Sequence, residues 1–188
     1  MEIYRIKVTL RSVKPPIWRR LLVPADMTLE QLHQVLQIAM GWDNYHLHEF
    51  SIGPERFGVP DPEDRDTINE KKVRLAGVLG GVGAKALYSY DFGDGWEHTI
   101  AVEKVMVPEP GQAYPVCVAG KRRCPPEDCG GASGYFDLLD AIKDPKHEEH
   151  ESLLEWVGGV IDPEDFSIDH VNARLAPMQR RRAKAQGS

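Results

Sequence analysis

The chain opens on a strict two-residue alternation, and that pattern limits its fold more than any other feature. Tyr4, Ile6, Val8 and Leu10 fall on one side of an extended segment, with Arg5, Lys7 and Thr9 on the other. This predicts a half-buried strand over 3–10. Pro15-Pro16 blocks its continuation. A second run over 17–23 sets Ile17, Arg19, Leu21 and Val23 against Trp18, Arg20 and Leu22. Antiparallel pairing of the two is the simplest arrangement. The period then lengthens. Leu29, Leu32, Val35, Leu36, Ala39 and Met40 recur at helical spacing, Thr28 and Gln31 form a capping box, and Gly41 ends the run. A third strand is expected over 45–52, with His46, His48, Phe50 and Ile52 on a common face.

Residues 53–72 read as polar and irregular. Asp61, Glu63, Asp64 and Asp66 lie close together, but Pro62 and Arg65 break the ligand alternation of a calcium hand. A short helical piece over 73–79 precedes Gly80-Gly81-Val82-Gly83, whose spacing fits neither a phosphate loop nor a dinucleotide fingerprint. The clearest hairpin joins 87–91 to 96–105 through Phe92-Gly93-Asp94-Gly95. The last third reads as helical. One helix is expected over 135–142, and a second enters through Asp144 as cap and Pro145 at its first position. That second helix would bury Leu153, Leu154 and Val157 and stop at Gly158-Gly159; a short third one spans 169–175. The fold class is therefore α+β: one domain over 1–176, an antiparallel roll-like sheet with the N-terminal helix packed on it and acidic C-terminal helices alongside. Residues 177–188 form a basic tail, expected to be flexible.

Composition narrows the class further. With 188 residues, 41% hydrophobic and 28% charged, the chain suits one globular domain and excludes a disordered, collagen-like or coiled-coil protein. No apolar run reaches the ~20 residues of a membrane helix, and the opening Met1-Glu2-Ile3-Tyr4 leads into a strand rather than a signal peptide. A soluble, cytoplasmic protein is expected. The net charge of −6 is uneven: residues 1–126 carry 16 basic and 16 acidic side chains, whereas 127–165 carry 12 acids against Lys143 and Lys146. Arg180, Arg181, Arg182 and Lys184 reverse the sign at the end. An acidic body repels phosphate backbones, so only weak, tail-mediated nucleic-acid contact is expected, beside a protein partner and no membrane.

Three constellations offer chemistry. The hairpin brings Asp91, Asp94 and His98 to one end of a sheet, where two carboxylates and an imidazole suit acid–base work or a metal. The same residues also suit a turn and a core histidine packed with Trp96. Cys117, Cys124 and Cys129 lie within thirteen residues. With His98, or His147 from the acidic segment, they supply enough ligands for zinc, although their spacings are looser than a zinc motif and buried free cysteine is common. The Pro125-Pro126-Glu127-Asp128 turn before Gly130-Gly131 reads as a structural cap, with Asp128 bonding loop backbone. His147-Glu148-Glu149-His150-Glu151 lacks the zincin spacing and reads as an acidic solvated face. His46 and His48 suit either paired ligands or packing beneath the first helix. Trp18-Arg19-Arg20 offers stacking and charge for a single strand of nucleic acid, or cover for an edge strand.

Four segments taken together carry a resemblance: PPIWRRLLVPADMTLEQLHQVLQIAMGW at 15–42, YSYDFGDGWEHTI at 88–100, CPPEDCGGASGY at 124–135 and DPKHEEHESLLEWVGG at 144–159. The chain resembles, from about Ile3 to Leu175, the family named after the third open reading frame of an agrobacterial Ri plasmid. That family is also described as the passenger protein, TnpR, of a mycobacterial insertion element. The resemblance implies an α+β roll and carries no assigned activity. The recombinase meaning of the TnpR label finds no support in the residues. Ser12 and Ser51 have no arginine cluster near them in sequence, no tyrosine has an arginine and histidine platform, and the C-terminal helices are acidic. Two functions follow. The first is a mobile-element-associated binding or accessory module without catalysis. The alternative is a zinc-type metal-dependent enzyme, a hydrolase built on Asp91, Asp94, His98 and the cysteine loop.

Overall fold

The computed structural model describes residues 1–63 and 66–186. Its strands are β1 (Ile3–Leu10), β2 (Trp18–Pro24), β3 (His48–Ile52), β4 (Glu55–Gly58), β5 (Thr67–Asn69), β6 (Lys85–Tyr90), β7 (Trp96–Met106) and β8 (Val116–Lys121). They form one eight-stranded sheet in the order β5-β4-β3-β6-β7-β1-β2-β8. All neighbours are antiparallel except β4 and β5. The alternation read at the N-terminus places Tyr4, Ile6, Val8 and Leu10 in the core and leaves Arg5, Lys7 and Thr9 partly exposed. β1 pairs antiparallel with β2, as the two alternating runs require. Trp18 and Arg20 project to the other face, where the cations of Lys7 and Arg20 lie 5.0 and 5.2 Å from the Trp18 ring. The strand carrying them is flanked by β1 and β8, so it is not an edge.

Helix α1 (Leu29–Met40) is bounded as its sequence dictates. Thr28 accepts from the Gln31 N–H while the Gln31 side chain accepts from Thr28, and Gly41 takes the left-handed conformation that closes the last turn. Its apolar stripe joins the inward residues of the sheet in one core. His33 and Gln37 reach the hydroxyl of Tyr88 on β6 at 2.8 and 2.9 Å. Burying this apolar face, rather than helix propensity, is what holds so short a helix. Arg19 on β2 is 2% exposed and donates to the carbonyls of Ala39 at the end of α1, Trp18 and Lys121. It thereby ties the helix C-terminus to two strands.

The remaining helices are α2 (Leu75–Val78), α3 (Gly131–Lys143), α4 (His150–Val157) and α5 (Ile168–Gln186). Several expectations are corrected here. The third strand starts at His48, not at 45, so His46 lies in the loop before it. Residues 53–72 hold β4, β5 and a 3-10 turn at Glu70–Lys72, because Gly53 at φ +58 allows a tight return beside β3. Asp64 and Arg65, on which part of the calcium-loop reading rests, lie outside the described residues. α4 does not begin at Asp144. That residue closes α3, and its side chain accepts from the Lys146 N–H in a turn, the same chemistry that would have capped a helix. Leu153, Leu154 and Val157 are half-buried rather than buried, and His147 precedes the helix. Strand β8 had no sequence signal. Its outer edge is covered by Asn172 of α5, whose amide accepts from the Cys117 N–H (2.8 Å) and donates to the Cys117 carbonyl (2.9 Å). The helix expected over 169–175 runs on to Gln186, with Pro177 inside it. Residues 177–186 of the basic segment are therefore helical, and Arg182 pairs with Asp26.

Candidate functional site

The hairpin between β6 and β7 sets the first part of the site. Asp91 sits at φ +56 immediately after β6 and is 6% exposed. Its Oδ1 accepts from the N–H groups of Gly93 (3.0 Å) and Asp94 (3.3 Å). One carboxylate oxygen is thus committed to the turn, and the other lies toward His46. Asp94 reaches a different element: its Oδ2 accepts from the N–H of Gly130, just before α3 (3.2 Å). The backbone at the N-cap of α3 is therefore held from the hairpin, and the expected bond from Asp128 to loop backbone is not among the hydrogen bonds of the described residues.

The loop from Cys124 to Gly130 folds over this hairpin. Trp42 donates from its indole nitrogen to the Pro125 carbonyl (2.9 Å) and stacks on Tyr90. The Tyr90 hydroxyl donates to Glu127 and accepts from the N–H of Tyr45 (3.0 Å) and more weakly from that of His46 (3.4 Å). Glu127 also accepts from the Asp43 N–H (2.9 Å). Burial, followed by the Glu127 hydrogen bond, pushes the Tyr90 pKa well up, so it remains a donor. Two loops distant in sequence are pinned by one hydroxyl. The result is that Nε2 of His46 lies 3.1 Å from Oδ1 of Asp128 and 3.6 Å from Oδ2 of Asp91. The three ligand atoms all fall within 4.8 Å of one another, and among the described residues this is the one such group of three or more.

The other candidates are dispersed. His98 is fully buried; its Nδ1 donates to the Tyr88 carbonyl (3.3 Å), and desolvation lowers its pKa to about 4. It is edge-on to Trp42, a core position. Cys117 faces inward from β8, and its thiol reaches the Ala119 carbonyl. Cys124 lies against Arg19 (3.4 Å) and the Met40 sulfur (3.3 Å). Cys129 is nearer the hairpin, and burial together with Asp94 pushes its thiol up to about 12. Burial raises the other two thiols as well, with Arg19 opposing. The proposed centre of three thiolates with His98 is therefore not assembled, because each sulfur is packed against a different neighbour. His48 is likewise taken: it stacks on His33 at 3.4 Å and bonds buried Glu70 at 2.8 Å. His150 bonds the Ala141 carbonyl (2.9 Å) and so ties α4 to α3. Of the residues singled out from sequence, Asp91 reaches the ligand cluster. In sequence, His46 stands out only beside His48, and Asp128 only as a cap.

Asp128 also lines a cleft of about 830 Å³ between the end of α1, the 124–128 loop, the end of α4 and the start of α5. Tyr45 and Trp156, 77% and 49% exposed, stand on its walls. Arg123, His170 and Arg174, and Asp43, Glu127 and Asp165, also line it. No helix among the described residues is long and apolar enough to cross a membrane.

The family model described as plasmid pRiA4b ORF-3-like protein matches residues 2–170. A protein of Sinorhizobium fredii (strain NBRC 101917 / NGR234), "Uncharacterized protein y4hQ", is 46% identical over 159 residues, which is 84% of this chain and 81% of the relative. The crystal structure of MM3350, a protein of unknown function from Methanosarcina mazei Go1, is similar at a TM-score of 0.83 and 38% identity. That match covers 89% of this chain and 96% of the other.

Proposed function

Because the chain belongs to the plasmid pRiA4b ORF-3-like family, whose relatives above are described without an activity, we propose from the site alone that it is a binding module for a segment of a partner protein. The observation that carries this reading is the open cleft with Tyr45 and Trp156 on its walls. Exposed aromatics beside a groove are the usual anchors of protein recognition, since they bury large area with few torsions to fix. Charge supplies the partner's character. The cleft lining carries Asp43, Glu127, Asp128 and Asp165 against Arg123 and Arg174, the lining Arg19 being buried, so its accessible side chains leave it acidic. A basic segment is complementary to it, its arginines stacking on exposed rings and its approach steered by the acidic field. Association with mobile elements belongs to this reading as its biological setting. This reading does not draw on Asp91, Asp94, His98 and the three cysteines as one centre, since they do not together form a metal-ligand group among the described residues.

A photo-crosslinking amino acid placed at exposed Arg123 on the cleft lining, with irradiation in a cell lysate, tests the assignment. A defined basic polypeptide is expected on the crosslinked chain, and Tyr45→Ala or high salt should remove it. Absence of a crosslinked polypeptide, or capture indifferent to both changes, would sink the reading.

A further inference from the structure

We propose that His46, Asp91 and Asp128 form a site for a divalent first-row transition-metal ion at the mouth of the cleft. The spacing is the first argument. Ligand atoms held about 2.0–2.2 Å from such an ion stand roughly 3.0–3.5 Å apart in tetrahedral or octahedral arrangements. The imidazole nitrogen is 3.1 Å from the Asp128 oxygen and 3.6 Å from the Asp91 oxygen, and all three atoms lie within 4.8 Å of one another, so small rotations of half-buried His46 and exposed Asp128 bring them into register around turn-bound Asp91.

The second argument is electrostatic and independent of spacing. Asp91 is a buried carboxylate with no lysine or arginine paired to it among the described residues. A buried anion without a counter-charge is costly, and such groups are ordinarily paired or bind metal. Its Oδ1 is satisfied by two backbone N–H groups, whereas Oδ2 is directed at an imidazole too distant for a hydrogen bond. The imidazole is itself unsatisfied: Nε2 of His46 is buried and has no hydrogen-bond partner, although it lies between two carboxylates. An imidazole nitrogen and two carboxylate oxygens, all within 4.8 Å of one another, can together offer three lone pairs to a cation.

The donor set selects the ion. One imidazole with two carboxylates favours zinc, manganese, iron or cobalt over calcium or magnesium, whose sites are built from oxygen. Three protein ligands leave positions open for water or for a donor from a bound segment. Asp128 belongs both to the cluster and to the cleft lining, so an ion there neutralises one wall of the groove. The Tyr90 hydroxyl, which links the His46 backbone to Glu127, is the group that holds the two loops in place behind the ligands.

Calorimetric titration of the untagged full-length chain with zinc chloride tests the site, with cobalt chloride as a spectroscopic probe. One zinc per chain is expected, as are cobalt absorption bands in the visible and a higher melting temperature with zinc. His46→Gln and Asp128→Asn leave the Asp91 turn intact. Each should weaken zinc by more than the roughly 10–100-fold that follows loss of an outer-shell partner, while the metal-free melting temperature shows that the variant folds. Failure to bind zinc, manganese or cobalt stoichiometrically would overturn the proposal. Undiminished binding by the His46→Gln, Asp128→Asn double variant would do the same. Loss of stability in His46→Gln, with no metal response in the parent chain, would assign the cluster to an ion pair instead.

Discussion

Buried histidines make the molecule's interior sensitive to acid. His98 and His33 are 0% and 3% exposed, and both have pKa values lowered to about 4. Desolvation is the main cause for each; the neighbouring His48 adds to it for His33, against hydrogen bonding to Asn44. In the unfolded chain a histidine titrates near 6.5. Between those values the unfolded state binds more protons than the folded one, so stability is complete above about 6.5 and falls as the pH drops towards 4. One pKa unit corresponds to about 1.4 kcal/mol, so His98 alone accounts for a loss on the order of 3 kcal/mol across that window. Urea unfolding at a series of pH values should show the decline, and His98→Gln should flatten it. A stability curve that is level from pH 7 to 4.5 in the parent chain would contradict the assignment. None of this was visible in sequence. His98 shared a face with Trp96, Ile100 and Val102, which marked it as inward; the neutral state follows only from enclosure by Tyr88 and Trp42.

The elements divide by how local their causes are. Thr28, Gln31 and Gly41 determine α1 within their own neighbourhood, and the structure repeats that reading bond for bond. Asp144-Pro145 obeys the same local chemistry and yet closes a turn, because an aspartate side chain serves a turn N–H as readily as a helix N–H. Strand β8 shows no alternation, since Cys117 is inward while Val118 is the extra residue where the register with β2 slips. The site is the extreme case. His46, Asp91 and Asp128 come from three separate loops, and no spacing within the chain records that they meet. The glycines of the first turn of α3 fit closely against their neighbours. A Cβ on Gly134 would stand 1.9 Å from the Cys129 carbonyl oxygen, and one on Gly131, at φ +68, would stand 2.5 Å from that of Asp94. Gly134→Ala must push backbone away from backbone, so a loss of about 1–3 kcal/mol or more is expected, as in overpacked cores. Ser133→Ala, on the exposed side of the same turn, should stay within about 0.5 kcal/mol. Chemical denaturation of the two variants decides it: equal stabilities would mean that the first turn of α3 is not packed against the Cys129 carbonyl as described.

Across the whole molecule, charge is sorted by position. The acidic stretch 127–165 supplies α3, α4 and part of the cleft, while the basic run at Arg180–Lys184 continues α5. The run is joined to the body: Arg182 pairs with Asp26, and Gln179 donates to the Pro115 carbonyl at 2.8 Å. Met178 packs against the core. A chain ending at Pro177 therefore loses packing as well as charge, and its melting temperature should fall. Duplex DNA binding should be weak and should depend on this helix end, because affinity for a phosphate backbone follows the number of cations that displace counterions. Four cations at about 0.9 each limit the slope of log K against log salt to roughly −3.6, and the Arg182–Asp26 pair reduces it further. Fluorescence anisotropy over a salt series measures that slope, and charge reversal of Arg180 and Arg181 separates it from the packing loss, since that variant keeps Met178 and Gln179. Tight, sequence-selective binding by the reversed variant would show that the acidic body grips DNA by a surface other than this helix. Binding that vanishes with two charges while the melting temperature holds would confine nucleic-acid contact to the end of α5, and leave the cleft to a partner of opposite character.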